Sequence, residues 1–245
     1  MEQHEILNHL LEELERIPDC EVSNVVLGSR LGIVETTGAG FASLRAHGQP
    51  FDAKELASRI IRKPAKEVCR YVLSDDPVEA SVGLACFNSL IPLPPEGELV
   101  NIKAQEVILQ YGRGKNVAVI GHFPFVERMG EDFDNFWVLE KRLRPGNLTD
   151  KEAASVLPRA DLVAISATTL ANGTLAGILE LIPANAKTIL LGQSTPLSAR
   201  LFEFGLDVLA GAVITDRELA ISGVSAGLSF KELKGVKHVV WHRPG

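Results

Sequence analysis

Cysteine is scarce in this chain of 245 residues. Cys20, Cys69 and Cys86 are widely spaced and form no Cys-x-x-Cys pair. That spacing excludes a zinc knuckle and a disulfide framework. Apolar runs are short, and none approaches the roughly 20 residues needed to cross a bilayer. The segment from Met1 to Asp19 is charged and amphipathic and lacks the apolar centre of a secretory signal, so a cytoplasmic location is expected. There is no surplus of basic residues either: 25 Lys+Arg stand against 31 Asp+Glu, a formal net charge of −6. A broad nucleic-acid surface needs a basic stripe, and docking to an anionic membrane needs basic clusters. Both partners are therefore excluded. Internal repeats and low-complexity tracts are also lacking.

What remains is the composition of a globular protein, with 46% hydrophobic and 23% charged residues. At this length the chain buries enough surface to fold without disulfides or a structural metal. Ile6, Leu7, Leu10, Leu11 and Leu14 recur at helical spacing, which predicts an opening amphipathic helix stopped by Pro18 and Asp19. "EVSNVVLGSRLGIVETTGAGFASL" then reads as three short strands, Val22–Leu27, Leu31–Glu35 and Phe41–Leu44, turned at glycines into an antiparallel meander. Two helices follow. One is capped by Asp52, and the other, "DPVEASVGLACFNSLI", by Asp76 with Pro77 at its first position. The small residues of the second predict a buried helix. "IPLPPEGE" (Ile91–Glu98) has the texture of a linker.

Beyond it the rhythm changes. "NVAVIGHF", "NFWVLEK", "ADLVAISATT", "AKTILLGQS" and "LDVLAGAVI" are apolar throughout and alternate with helical stretches. That pattern predicts a parallel sheet covered on both faces. The expected domains are residues 1–95, a small α+β unit, and 96–245, a Rossmann-like doubly wound α/β unit.

In such sheets ligands bind beyond the carboxyl ends of the strands. Those ends carry Gly121, His122 and Phe123, then Glu140, then Ser166 to Asn172, then Gly192 to Thr195. A dinucleotide site needs Gly-x-Gly-x-x-Gly after the first strand. Only Gly121 is present there, which argues against the usual NAD or FAD site. His122 reads as a proton carrier or as a loop histidine bonded to backbone. Glu140 lies where nucleotide folds hold a ribose hydroxyl, or is a solvated carboxylate. "SATTLANGT" gathers Ser166, Thr168, Thr169, Asn172 and Thr174 between strand and helix, with Asn172 as the expected cap. "GQSTPLS" repeats the design with Thr195 as cap and Pro196 following. Two such helix starts would hold an anionic group. Asn88, near the end of the small-residue helix, either closes this crevice from above or makes a local bond. No arrangement of histidines, acids or cysteines has the spacing of a metal or nucleophile site.

"VAVIGHFPFV", "ADLVAISATTLANGTLAGIL", "ILLGQSTPLS", "VLAGAVITD" and "GLACFNSL" together resemble the heavy-metal chelatase family, known as a domain of unknown function. The resemblance covers nearly the whole chain. It implies an enolase-N-terminal-like domain followed by a Rossmann-like one, with a site between them. Carried to this sequence, that cleft comprises Asn88, Gly121, His122, Phe123, Glu140, Thr168, Thr169, Asn172, Gly192 and Thr195. The ligand it implies is a heavy-metal ion or a metal complex. A transferase or lyase acting on a nucleotide-like or pterin-like anion, and a non-catalytic sensor, stay open as alternatives. Association into a homo-oligomer is also left open.

Overall fold

The computed structural model describes residues 2–44, 51–95, 97–121, 123–141 and 146–244. It opens with α1 (Gln3–Glu13), whose Ile6, Leu7 and Leu10 are buried on one face. β1 (Asn24–Leu27), β2 (Leu31–Glu35) and β3 (Ala39–Ser43) form the expected antiparallel meander, in the order β1-β2-β3. Next come α2 (Ala53–Ile60), α3 (Ala65–Cys69) and α4 (Pro77–Leu90). Asp52 accepts hydrogen bonds from the backbone N–H groups of Lys54 and Glu55. Asp76 does the same for Val78 and Glu79, with Pro77 in the first turn of α4. Both caps stand as the sequence predicts.

Nearly every side chain of α4 is buried. The helix lies so close to β3 that a Cβ at Gly40 would sit 2.2 Å from the carbonyl oxygen of Ala85 and 2.7 Å from the carbonyl carbon of Asn88. Only glycine permits that approach of backbone to backbone.

The remaining elements are β4 (Leu99–Val100), α5 (Ala104–Gly112), β5 (Asn116–Ile120), β6 (Asn135–Leu139), α6 (Ala153–Val156) and β7 (Leu162–Ser166). They continue with α7 (Thr168–Ala171), α8 (Leu175–Leu179), β8 (Lys187–Leu191), β9 (Val208–Ile214), α9 (Arg217–Ser225) and β10 (Val236–His242). They build a seven-stranded sheet ordered β4-β10-β9-β8-β7-β5-β6. β6, β5, β7, β8 and β9 are parallel, whereas β10 and β4 join antiparallel at one edge. The fold is therefore a mixed α/β sheet beside a separate antiparallel one. Its five parallel strands run 2-1-3-4-5, the doubly wound order that reverses between the first and third strands. That places the switch point between β5 and β7.

Alternate residues of these strands enter two different cores. Ala118, Val163, Ile165, Leu190 and Leu209 pack in one cluster with Ile6, Val34, Leu84 and Phe87 from the first part of the chain. Val117, Val119, Leu162, Ala164, Ile189 and Val208 face the other way, against Val107 and Ile108 of α5. Strands buried on both faces read as continuous apolar runs, which is why the sequence revealed them. At about 1.5–3 kcal/mol for each large side chain fully buried, the first cluster ties residues 1–91 firmly to the sheet.

Candidate functional site

The carboxyl ends of β6, β5, β7 and β8 lie side by side, so the expected strand-end residues are assembled in that order. Gly121 continues β5 with φ of +100°, and its N–H donates to Leu139 O at the end of β6. Half-buried Glu140 is thus next to it. On the other side of Gly121 is β7: a Cβ at Gly121 would lie 3.0 Å from Ser166 Cβ and 3.6 Å from the ring of Phe123. The Phe123 ring stacks on Phe125, with centroids 5.3 Å apart. His122 lies outside the described residues.

The loop after β7 is held by its own hydroxyls. Ser166 Oγ and Thr168 Oγ1 share a hydrogen bond of 2.9 Å, and Thr169 Oγ1 donates to Ser166 O at 2.7 Å. The loop after β8 is fastened from both sides. Gly192 has φ of +125°, and buried Thr195 donates to Ala210 O of β9 at 3.2 Å. Ser194, also buried, accepts from Ser43 N–H at 2.8 Å. The Asn88 side chain comes down from α4 to meet this loop. Its Nδ2 donates to Ser194 O at 3.2 Å and to Phe41 O at 3.1 Å. Asn88 Oδ1 is buried and is the one such side-chain polar atom among the described residues that has no partner. An unsatisfied buried acceptor costs about 1–3 kcal/mol. Asn88 therefore does reach from the first part of the chain to the strand-end loops.

Two expected caps are not caps. Asn172 ends α7 instead of starting the next helix, because Asn172-Gly173 is a helix C-terminus, with Gly173 at φ of +74°. α8 begins after Thr174, whose hydroxyl donates to Asn172 Oδ1 at 2.6 Å. Thr195 is likewise spent on β9, and the cap of the following 3-10 helix, Ala199–Phe204, is Ser198. α7 and α8 have four and five residues, too short to build the macrodipole on which the anion expectation relied. Asn172 and Gly173 line a groove of about 260 Å³ with Gln3, His4, Leu73 and Asp75, and no other expected site residue borders it.

The donors present decide what these strand ends can hold. Soft heavy metals select thiolate and imidazole, whereas the described strand-end groups are hydroxyls, amides and one carboxyl. Among the described residues, no three His, Cys, Asp or Glu side chains converge on a point where an ion could sit. Cys69 of α3 and Cys86 of α4 are both buried. A hydrogen bond with Cys86, together with burial, pushes the Cys69 thiol far up, so it stays protonated and does not act as a thiolate. The described residues therefore do not fit a bare soft cation.

The family model described as "Putative heavy-metal chelation" (DUF364) matches residues 103–241, more than half of the chain. The chain belongs to the DUF364 family. A second model with the same description, DUF4213, matches residues 10–91. An uncharacterized protein of Methanocaldococcus jannaschii is 30% identical over 198 residues, 78% of this chain and 74% of that one. Among solved structures, a DUF364 protein of unknown function from Desulfitobacterium hafniense superposes with a TM-score of 0.82 at 27% identity, covering 98% of each chain. Another, from Pyrococcus horikoshii, has a TM-score of 0.76 at 22% identity over 99% and 100% of the two chains, and shows the likeness of fold alone. The two DUF models meet across residues 92–102, the stretch that contains most of the expected linker.

Sequence reasoning passed over Ser43 and Ser194, and the carbonyl groups that fix Asn88. Nothing local marks them. The one signal was the glycine at position 40 facing a helix of small residues.

Proposed function

We propose that this DUF364 protein binds a small-molecule metal chelate, rather than a bare ion, at the carboxyl ends of β5, β7 and β8. Residues 1–95 would form one domain that closes the site through α4, and residues 96–245 a Rossmann-like domain that supplies the loops. The observation that carries this reading is the set of neutral polar loops flanking the switch point, where Gly121 exposes backbone beside Ser166 and Asn88 meets the loop at Ser194. A chelator fills the metal's coordination sphere, so the protein needs only hydroxyls, amides and backbone to hold it. The family description supports a metal as cargo.

A thermal-shift series tests this. Gallium(III), nickel(II) and zinc(II) ions alone should leave the melting temperature unchanged, and their acetohydroxamate complexes should raise it. Gly121→Val should abolish the rise, because a side chain there presses on Ser166, whose Cβ lies 3.0 Å from the added one, and strains a turn held at φ of +100°. A shift with an ion alone that disappears in His122→Ala would overturn the chelate reading. The 2-1-3-4-5 strand order favours a second reading, because doubly wound folds of that order take nucleotide-like ligands at the same switch point. A nucleotide-induced shift lost in Glu140→Ala would select it.

A further inference from the structure

The three cysteines, far apart in sequence, meet around one short helix. Ala65, the first residue of α3, donates its N–H to Cys20 O at 2.7 Å and accepts from Cys86 Sγ at 3.4 Å. In the α-helical pattern the same carbonyl receives the N–H of Cys69, four residues along α3. Cys86 thus sets its sulfur on the turn of α3 that ends in Cys69, and the two thiols share a hydrogen bond. One turn back along α4 the approach is just as close. A Cβ at Gly83 would stand 2.4 Å from Val72 N and 2.7 Å from Tyr71 C, backbone atoms of the segment that follows α3. α4 therefore runs antiparallel to residues 65–73 with backbone against backbone. A disulfide needs such closeness, with Cα atoms about 4.4–6.8 Å apart. Cys69 and Cys86 are fully buried, whereas Cys20 is half-buried. Neither buried thiol belongs to the strand-end site.

We propose that Cys69 and Cys86 form a redox clasp, closed to a disulfide by exchange with a low-molecular-weight disulfide and reopened by a dithiol. In the closing step the thiolate of one cysteine attacks the small disulfide, breaks its S–S bond and releases one half as a thiolate. The second cysteine then attacks its neighbour's sulfur in that mixed disulfide and displaces the other half. Two protein thiols are oxidised, one small disulfide is reduced to two thiols, and the two protons pass from the cysteines to the departing thiolates. The folded pair is buried and protonated, so the reagent enters through local opening of the five-residue helix α3. The bond ties α3 to the helix that carries Asn88. The test incubates the intact, reduced protein with hydroxyethyl disulfide, quenches with acid and alkylates the remaining thiols after unfolding. Peptide mass spectrometry should show Cys69 linked to Cys86, about 2 Da lighter than the two reduced peptides together, and dithiothreitol should restore both thiols. Cys20→Ser should close the same bond, since Cys20 is outside the pair. The oxidised protein should melt about 5 °C higher, because the link restricts the unfolded chain. Separate mixed disulfides on Cys69 and Cys86, two thiols that survive while Cys20 is modified, a bond through Cys20, or closure lost in Cys20→Ser would overturn the pairing. A linked protein that melts no higher would overturn its role as a clasp.

Discussion

Replacing Gly40 by alanine adds one methyl group where β3 meets α4. That methyl carbon would stand 2.2 Å from Ala85 O, 2.5 Å from Ser89 N and 2.7 Å from Asn88 C. All three are backbone atoms of a buried helix, so no side chain can rotate away. To restore van der Waals contact the strand and helix must separate by about 1 Å. Overpacking of this kind costs up to about 3 kcal/mol, occasionally more. The same separation stretches the hydrogen bond from Asn88 Nδ2 to Phe41 O, now 3.1 Å, beyond bonding range, for about 1 kcal/mol more. A loss of about 4 kcal/mol is a large share of the 5–15 kcal/mol that holds a typical domain together. With a urea slope of about 2–3 kcal/mol/M, the unfolding midpoint should fall by about 1.3–2 M. Gly177→Ala is the control. Gly177 is an exposed residue of α8 with open space around its Cβ position, and alanine there should stabilise by about 0.5–1 kcal/mol. The identical chemical change should thus have opposite signs at the two sites. A Gly40→Ala unfolding free energy within about 0.5 kcal/mol of the parent protein's would refute the argument that α4 is seated directly on the backbone of β3.

Ser194→Ala removes the acceptor of the buried Ser43 N–H and should cost about 1–3 kcal/mol in a urea melt, with chelate binding weakened because the β8 loop loses its hold on β3. Burial lowers His238 and His242 below the ordinary histidine value, with Lys103 and Lys187 adding to the shift. Below about pH 6.5 the unfolded chain takes up protons that the folded one refuses. Stability should therefore fall as pH drops through that range, and His238→Gln should flatten the midpoint-against-pH curve. Limited proteolysis should cut near exposed Leu93, yet the two fragments should co-elute in size-exclusion chromatography because one apolar cluster spans both. Fragments that separate would contradict the shared core.

Elements whose local residues act locally were legible. Asp52 and Asp76 bond to N–H groups two and three residues on, so their caps could be read directly. The runs that became β5, β7 and β8 are apolar because both faces are covered. β4, a two-residue strand, has no periodicity to read, and β10 pairs antiparallel at the sheet edge, where no composition signal gives direction. Thr195 followed by Pro196 has the form of a helix start, but its hydroxyl crosses to Ala210, fifteen residues away. Asn-Gly at 172–173 fits either end of a helix until the chain is folded. The candidate site divides in the same way. Strand ends follow from the fold class, so Gly121, Glu140, Thr168, Thr169 and Gly192 could be named in advance. The partners of Asn88 are two carbonyl groups, one from strand β3 and one from the loop after β8, and no sequence spacing encodes them.

The central claim is that a chelate occupies the strand-end crevice beneath α4. The most direct measurement is a ¹⁵N–¹H correlation spectrum recorded while gallium(III) acetohydroxamate is added. Signals of the Gly121, Thr168 and Gly192 amides and of the Asn88 side-chain NH₂ should move together with one saturation curve. Movement confined to Gln3, His4 and Asp75 around the other groove, or no movement at all, would contradict it.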